Sequence, residues 1–531
     1  MKQEVSYISY EKTKRFSNTV LDYLSQKEEF QKFYELFPNK ENFKLQIEKK
    51  ESYNFPHRKI LVEVINKQYE NLDTSKKVLD NIQLLHKTNT FTITTGHQLN
   101  LFTGPLYFLY KIISIINLCE EQKKDNPTYN FIPIYWMATE DHDFEEVQYF
   151  NFQNTKVTWQ KESKSAVGRL STKGLETILN EINILFGDRK KAKYLTRLFK
   201  QSYLENKTLA DATRFLVNSL FKEYGLVILD ADDRNLKKIF IPLIEKEIFE
   251  QFSYTKVSET AIDLKKHYKI QVNPREINLF YLTDDFRERI LFKNELYYIN
   301  NTNIQFTKKE ILQEIKNFPE KFSPNVILRP LYQEVVLPNL CYIGGGGELA
   351  YWFELKAMFE KAHVVFPILL LRNSALIKST KQQQKLAKLK ITNQDIFTKQ
   401  SKLIDTKIKE ISNLDIDFSK QKEFLKQQFI ALRKMASKTD KSFVGAVNAQ
   451  EKKQLNGLNN LEKRLLKAEK RKLSEMVNRI KKIQNSLFPN QNLQERQINF
   501  SEMYLEFGEE LIPTLKKQLK PLDLKFSILT L

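Results

Sequence analysis

The chain has 531 residues, 41% of them hydrophobic and 28% charged with both signs present, which suits about three globular domains and excludes a disordered polyampholyte. The formal net charge is +20, but the lysine excess is spread along the whole chain, so it reads as solvated surface that attracts a small anionic substrate, and nucleic acid is not expected as a partner. No stretch approaches the roughly 20 apolar residues of a membrane span, residues 1–10 lack the apolar run of a secretory signal, and two cysteines, Cys119 and Cys341, cannot make a disulfide framework; the expected compartment is the cytosol, with no membrane partner.

In chain order, residues 90–94 (TFTIT) are β-branched and aromatic and predict a buried strand. A glycine-containing loop, 95–104, leads to a helix over 105–118 with Pro105 in its first turn. Residues 131–138 (FIPIYWMA) predict a second strand that runs into Glu140-Asp141-His142-Asp143. A third, 226–229, ends at Asp230-Ala231-Asp232-Asp233 and precedes a helix over 236–252. The fourth is placed at 326–329, ahead of a Gly-rich loop and a helix over 349–362, and the fifth at 364–371, ending in Arg372-Asn373. Short, almost continuously apolar strands alternating with helices predict an α/β fold, a Rossmann-like doubly wound parallel sheet buried on both faces. Two stretches, 147–169 and 269–299, hold strand-like runs that read as β-rich insertions.

From about residue 376 the chain is rich in Lys, Gln, Glu and Leu. Leu473, Met476, Ile480, Ile483 and Leu487 are spaced 3,4,3,4, and Leu458, Leu461, Leu465 and Ala468 repeat 3,4,3, the seam of a coiled coil. An arm over 376–411 is expected to fold back on it around 412–417. Residues 433–440 (RKMASKTD) fall inside this region, so their likeness to a synthetase KMSKS loop is coincidence. The domain plan is a core begun by 1–146, a first insertion over 147–205, core again over 206–262, a second insertion over 263–310, core over 311–375, a coiled coil over 376–487, and a segment, 488–531, that returns to the core.

Chemistry concentrates at the carboxyl ends of the strands, the edge where open α/β sheets bind ligands. Thr95, Gly96, His97 and Gln98, with Thr103 and Gly104, form a strand–loop–helix whose amides can meet an anion; His97 can donate to a phosphate or carboxylate, or act as acid or base. The pattern matches neither the Walker loop nor GxGxxG. Glu140, Asp141, His142 and Asp143 crowd one strand end and call for a cation. Without a second clustered His or Cys, an amine fits better than a metal, with the cluster accepting its proton, and no metal is expected. Asp230 and Asp232 add to the same edge. The chain has 13 glycines and four of them, Gly344, Gly345, Gly346 and Gly347, stand in a row before Glu348, a candidate anion nest at a helix start with Glu348 either facing the cleft or capping the helix. Tyr351 and Trp352 could stack on a sugar or base, a core place being as good for Trp352. Arg329, Gln333, Arg372 and Asn373 suit a carboxylate or phosphate, or pair with the acidic cluster. Both cysteines read as core.

Six segments, TGHQLNLFTGPLYFLYKI, PIYWMATEDHDFEEV, GLVILDADD, LRPLYQEVVLPNLCYIGGGGELAYWFELK, FPILLLRNSALI and LQERQIN, occur in this order. Together they resemble the BshC family, the cysteine-adding enzymes of bacillithiol biosynthesis, over nearly the whole chain. The resemblance implies a Rossmann-like core similar to that of class I synthetases and pantothenate synthetase, two connecting-peptide insertions, and a coiled coil that makes a homodimer. It implies a ligase that joins L-cysteine to the amine of glucosaminyl-malate as an amide. It implies roles for His97 and Gln98 in the GHQ segment and for Glu140, Asp141, His142 and Asp143 in the EDHD segment. The Gly run departs from the family, whose members tend to carry a proline there. The motifs leave the activating co-substrate open; ATP or another nucleotide is the expectation. The competing readings are another adenylate-forming or nucleotidyltransferase enzyme on the same core, and a non-enzymatic coiled-coil assembly or nucleic-acid-binding protein.

Overall fold

The computed structural model describes residues 4–531, and the chain divides into two compact units. One runs to Leu376 and takes in Asn492–Leu529; the other is Ile377–Gln491. The core of the first is a five-stranded sheet of β1 (Thr90–His97), β2 (Asn130–Met137), β3 (Val227–Asp230), β4 (Asn339–Gly344) and β5 (Ile368–Leu371). Every residue of β1 is buried, as a central strand with helices on both faces requires. All pairings are parallel, in the order β5-β4-β1-β2-β3. Read from β3 this is 3-2-1-4-5, the doubly wound Rossmann order, whose direction reverses between β1 and β4. The long helix Tyr107–Asp125 follows β1 and lays its Ile- and Leu-rich face on the sheet.

The fourth strand is not where the sequence placed it. Residues 326–329 enter a helix, Leu328–Val336, and the strand is Asn339–Gly344. The Asn325 side chain accepts from the Ile327 and Leu328 amides, and Pro330 lies in the first turn, where its missing N–H costs nothing. The helix expected over 349–362 is two, Gly346–Trp352 and Lys356–Ala362. Between them Glu354 turns away to accept the Gln271 and Val272 amides. The fifth strand starts only at Ile368, after Pro367, which has no N–H to give a ladder.

The first insertion is a hairpin, Tyr149–Phe152 with Thr155–Thr158, followed by helices Glu176–Phe186 and Lys190–Tyr203. The second is an antiparallel sheet of Leu279–Leu282, Arg287–Lys293, Leu296–Ile299 and Gln305–Phe306, closed on its other edge by Phe322–Pro324. The C-terminal segment does return to the core: Asn499 Nδ2 donates to the Phe102 and Gly104 carbonyls at 2.7 and 2.6 Å, and the Leu106 amide donates to Ile498.

The second unit is helical. Its two longest helices, Ser419–Ala436 and Lys441–Lys472, are joined at residues 437–440, so the hairpin reverses there and not at 412–417 as expected. Asp440 makes that turn by accepting the Ser442 and Phe443 amides. Phe429, Ala436 and Val447 form a small core near the tip. Ile480, Ile483 and Leu487 of the predicted seam are buried, whereas Leu461 is 54% exposed and Ala468 lies at the surface. No helix among the described residues is long and apolar enough to cross a membrane.

Candidate active site

A cavity of about 370 Å³ opens at the carboxyl ends of β1, β2 and β4, beside the point where the strand order reverses. Gly96, His97 and Gln98 come to it from β1, Glu140 and Asp141 from beyond β2, and Tyr342 and Glu348 from β4 and the helix after it. Arg329 and Tyr351 close one wall, and Arg287 reaches in from the second insertion. The fold thus brings together Gly96–Gln98, Glu140, Asp141, Arg329, Glu348 and Tyr351. It leaves His142, Asp143 and the four glycines outside the lining.

Lys111, in an otherwise apolar stretch of the helix after β1, anchors this cleft. It is 1% exposed and bonds both oxygens of Glu348, at 2.8 and 2.7 Å, and the Gly96 carbonyl. Glu348 also accepts from the Tyr342 hydroxyl at 2.6 Å and from the Gly345 amide at 2.8 Å. Burial alone would raise the Glu348 carboxyl, but Lys111, Tyr342 and the Gly345 amide outweigh it and hold it below the ordinary carboxylate value. The expected anion nest is therefore closed: Glu348 caps its own helix, and that helix is only seven residues long. Gly344 and Gly346 are tightly packed: a Cβ would lie 3.0 Å from Glu348 and Tyr342 in one case and from Val20 in the other.

His97 is 8% exposed and lies against Tyr107 and Phe108. Burial, with the nearby Lys111 charge, pushes its pKa down to about 3, so the ring is neutral. Nε2 has no hydrogen-bond partner among the described residues, and the Thr103 backbone beside the ring offsets part of the fall. A neutral ring can meet a ligand at Nε2 either as donor or as acceptor. The depressed pKa has a sign. Its stabilising contribution is whole above the ordinary histidine value of 6.5 and is lost as pH falls toward the folded value, at up to about 1.4 kcal/mol per pH unit. His97→Asn should flatten the acid-side fall in melting temperature between those limits; an unchanged slope would place the loss elsewhere.

Two guanidinia face the cavity with only neutral partners. Arg287 donates from Nε to Ser323 at 2.9 Å and from NH2 to the Pro324 carbonyl at 3.0 Å, meets His142 Nδ1 at 2.9 Å, and lies 4.0 Å from the centre of the Phe280 ring. Arg329 donates to Gln333 at 3.1 Å and to the Tyr351 hydroxyl at 3.0 Å. Arg287 sits in an insertion strand with no motif around it, and nothing in the sequence singled it out.

The acidic cluster divides. Glu140 accepts from buried Lys237 at 2.5 Å; burial raises its pKa against the pull of that lysine. Asp141 accepts Gln98 Nε2 at 2.8 Å and the His142 and Asp143 amides. His142 is turned to Arg287, and burial and that charge lower its pKa. Asp143 caps the helix Phe144–Val147. Of the four, Asp141 is the carboxylate that lines the cleft with no lysine or arginine within ion-pair distance among the described residues; the neutral ring of His142 lies 3.9 Å away.

Several expected ligand contacts are structural instead. Asp232 is held bidentate by Arg169 at 2.7 and 2.9 Å, and Asp230 accepts from Thr139; both line a separate cavity on the β3 side. Arg372 pairs with Glu495 at 2.8 Å, and Asn373 with Ser114 and the Lys520 carbonyl. Thr95 donates to Ile343 within the sheet, Gln333 spans Arg329 and Glu334, and Trp352 is core, stacked near Tyr342. Thr103 is buried and Gly104 is clamped by Asn499. Cys119 and Cys341 are buried, as expected.

The N-terminal Rossmann-like domain model of the bacillithiol biosynthesis protein BshC matches residues 3–373, and the C-terminal coiled-coil domain model of the same family matches residues 375–531. The chain belongs to the BshC family. A relative in Flavobacterium johnsoniae is 56% identical over 99% of both chains, and one in Flavobacterium psychrophilum is 58% identical over 98% of both. A more distant one in Lysinibacillus sphaericus is 30% identical over 94% of this chain and 96% of its own. Each is named "Putative cysteine ligase BshC". This BshC-family protein is accordingly a ligase of bacillithiol biosynthesis.

Proposed function

We propose that the chain joins L-cysteine to the amine of glucosaminyl-malate in the cleft between β1 and β4. The observation that carries this reading is charge: Arg287 and Arg329 have only neutral hydrogen-bond partners and line one cavity with Asp141. A molecule with two carboxylates and one amine answers that arrangement. The malate carboxylates would take the guanidinia, the charge-assisted contacts that arginine makes best. Asp141 would hold and orient the amine, and His97 Nε2 would meet a further polar group, as donor or as acceptor. The new amide requires a neutral amine, an activated cysteine carboxyl and stabilisation of the tetrahedral oxyanion.

ATP or another nucleotide is the class that would supply the activation. The Gly run does not fit as its phosphate cradle, because Glu348 fills the Gly345 amide. Incubating the protein with cysteine and glucosaminyl-malate, with and without ATP, should yield a product of their summed mass less one water. Unchanged substrates under both conditions would overturn the reading.

The reading includes a cytosolic homodimer formed through the Ile377–Gln491 unit. Its support is the set of exposed apolar side chains Phe424, Met435, Phe443 and Leu461 on the long helices. Sedimentation of the intact chain should give a dimer, and the double change Phe424→Glu with Leu461→Glu should give monomers. A monomeric intact chain would end the idea.

A further inference from the structure

A second, smaller cavity of about 220 Å³ lies on the other side of Gln98 and Tyr107, which line both spaces. Its other walls include Asn100, Glu146, Tyr149 and Arg496. Asn100 is 8% exposed, and its Nδ2 donates to the Glu146 carbonyl at 2.9 Å. That bond fixes the amide orientation and leaves Oδ1 buried with no donor. Gln98 Nε2 bridges Asp141 and Glu146 at 2.8 Å each, so one carboxylate faces the larger cavity and its twin faces the smaller. The Glu146 carboxylate has no cation within ion-pair distance, and the exposed Arg496 guanidinium has no hydrogen-bond or ion-pair partner among the described residues. Phe150 and Ile498 supply an apolar wall.

We infer that this side cavity is the subsite for the amino-acid substrate, holding a small zwitterionic α-amino acid with a thiol side chain. The ammonium lies between the Glu146 carboxylate, which has no counter-ion among the described residues, and Asn100 Oδ1, which has no donor. The carboxyl group is held by Arg496, on the side toward Tyr107 and the main cleft. The side-chain sulfur rests on Phe150 and Ile498, an ordinary place for a soft thiol against an aromatic ring. The assignment rests on the proposed ligation, because it presumes that the larger cleft takes the amine partner.

The test uses the full chain with L-cysteine, cysteamine, which lacks the carboxylate, and 3-mercaptopropionate, which lacks the amine. Calorimetric titration should show L-cysteine binding at least about tenfold more tightly than either fragment. Glu146→Gln and Arg496→Gln, both at exposed positions, should each weaken L-cysteine about tenfold or more and raise its steady-state KM in proportion. The KM for glucosaminyl-malate should be unmoved, and the melting temperature the same. Steady-state KM decides where binding is ordered. Variants that ligate with an unchanged KM for cysteine would overturn the subsite and leave the proposed reaction standing. A wild-type protein that neither binds nor consumes cysteine would overturn both.

Discussion

Glu495→Ala will lower the free energy of unfolding by about 3–5 kcal/mol, the usual result of stranding one member of a buried ion pair. Glu495 is fully buried and Arg372 is 3% exposed. Their contact is 2.8 Å, and Glu495 also accepts the Ser374 hydroxyl and the Ala375 amide at 3.1 and 3.0 Å. Losing the carboxylate therefore strands a buried guanidinium, a hydroxyl and a backbone N–H at once. Glu495→Gln keeps acceptor oxygen and should recover part of the loss. Chemical denaturation of the full chain measures both. An alanine variant as stable as the wild type would show that the C-terminal segment does not hold the end of β5.

Arg329→Ala will cost roughly 2–4 kcal/mol of substrate binding, a fall in kcat/KM of about 30- to 1,000-fold toward glucosaminyl-malate. The guanidinium is poised by Gln333 and Tyr351, neither of them charged, so its charge is left for a ligand. Stability should change far less than in Glu495→Ala, because no buried carboxylate loses its counter-ion. Arg329→Lys should not restore activity, since an ammonium cannot reproduce the planar fork. Initial rates beside melting curves separate the cases. Lost activity with an equal loss of stability would make Arg329 a structural residue.

Four of the five sheet strands were legible because they are short, apolar and bounded by polar or glycine residues. The fourth was misplaced for a physical reason. Its Asn339 looks unlike a central-strand residue, yet it accepts the Thr94 and Thr92 hydroxyls at 2.8 and 3.2 Å, partners that only the fold supplies. The apolar run at 326–328, by contrast, is a helix entry set by Asn325. The hairpin tip was misplaced because heptad spacing marks a seam without saying where the chain turns, or whether a seam position such as Leu461 meets its own chain.

Within the site, a row of charges did not reveal which side chains turn back on the backbone. Asp143 caps a helix and Glu348 caps another, and both compete with ligand binding through the same hydrogen-bonding capacity that made them candidates. Lys111 left a usable signal: a lone lysine in PLYFLYKII has to meet a carboxylate, because an unpaired buried ammonium is too costly. Arg287 left none, since its role depends on how an insertion folds over the strand ends.

If chemistry runs in the cleft at the β1–β4 switch, Asp141 is the carboxylate that takes the amine and Asp143 is a cap outside it. The direct measurement compares rates of amide formation from cysteine and glucosaminyl-malate for Asp141→Asn and for Asp143→Ser, which keeps a capping oxygen. Turnover should fall about 10²- to 10⁴-fold in the first and stay at the wild-type level in the second, with both proteins folded. Full activity in Asp141→Asn, or a collapse confined to Asp143→Ser, would contradict the account.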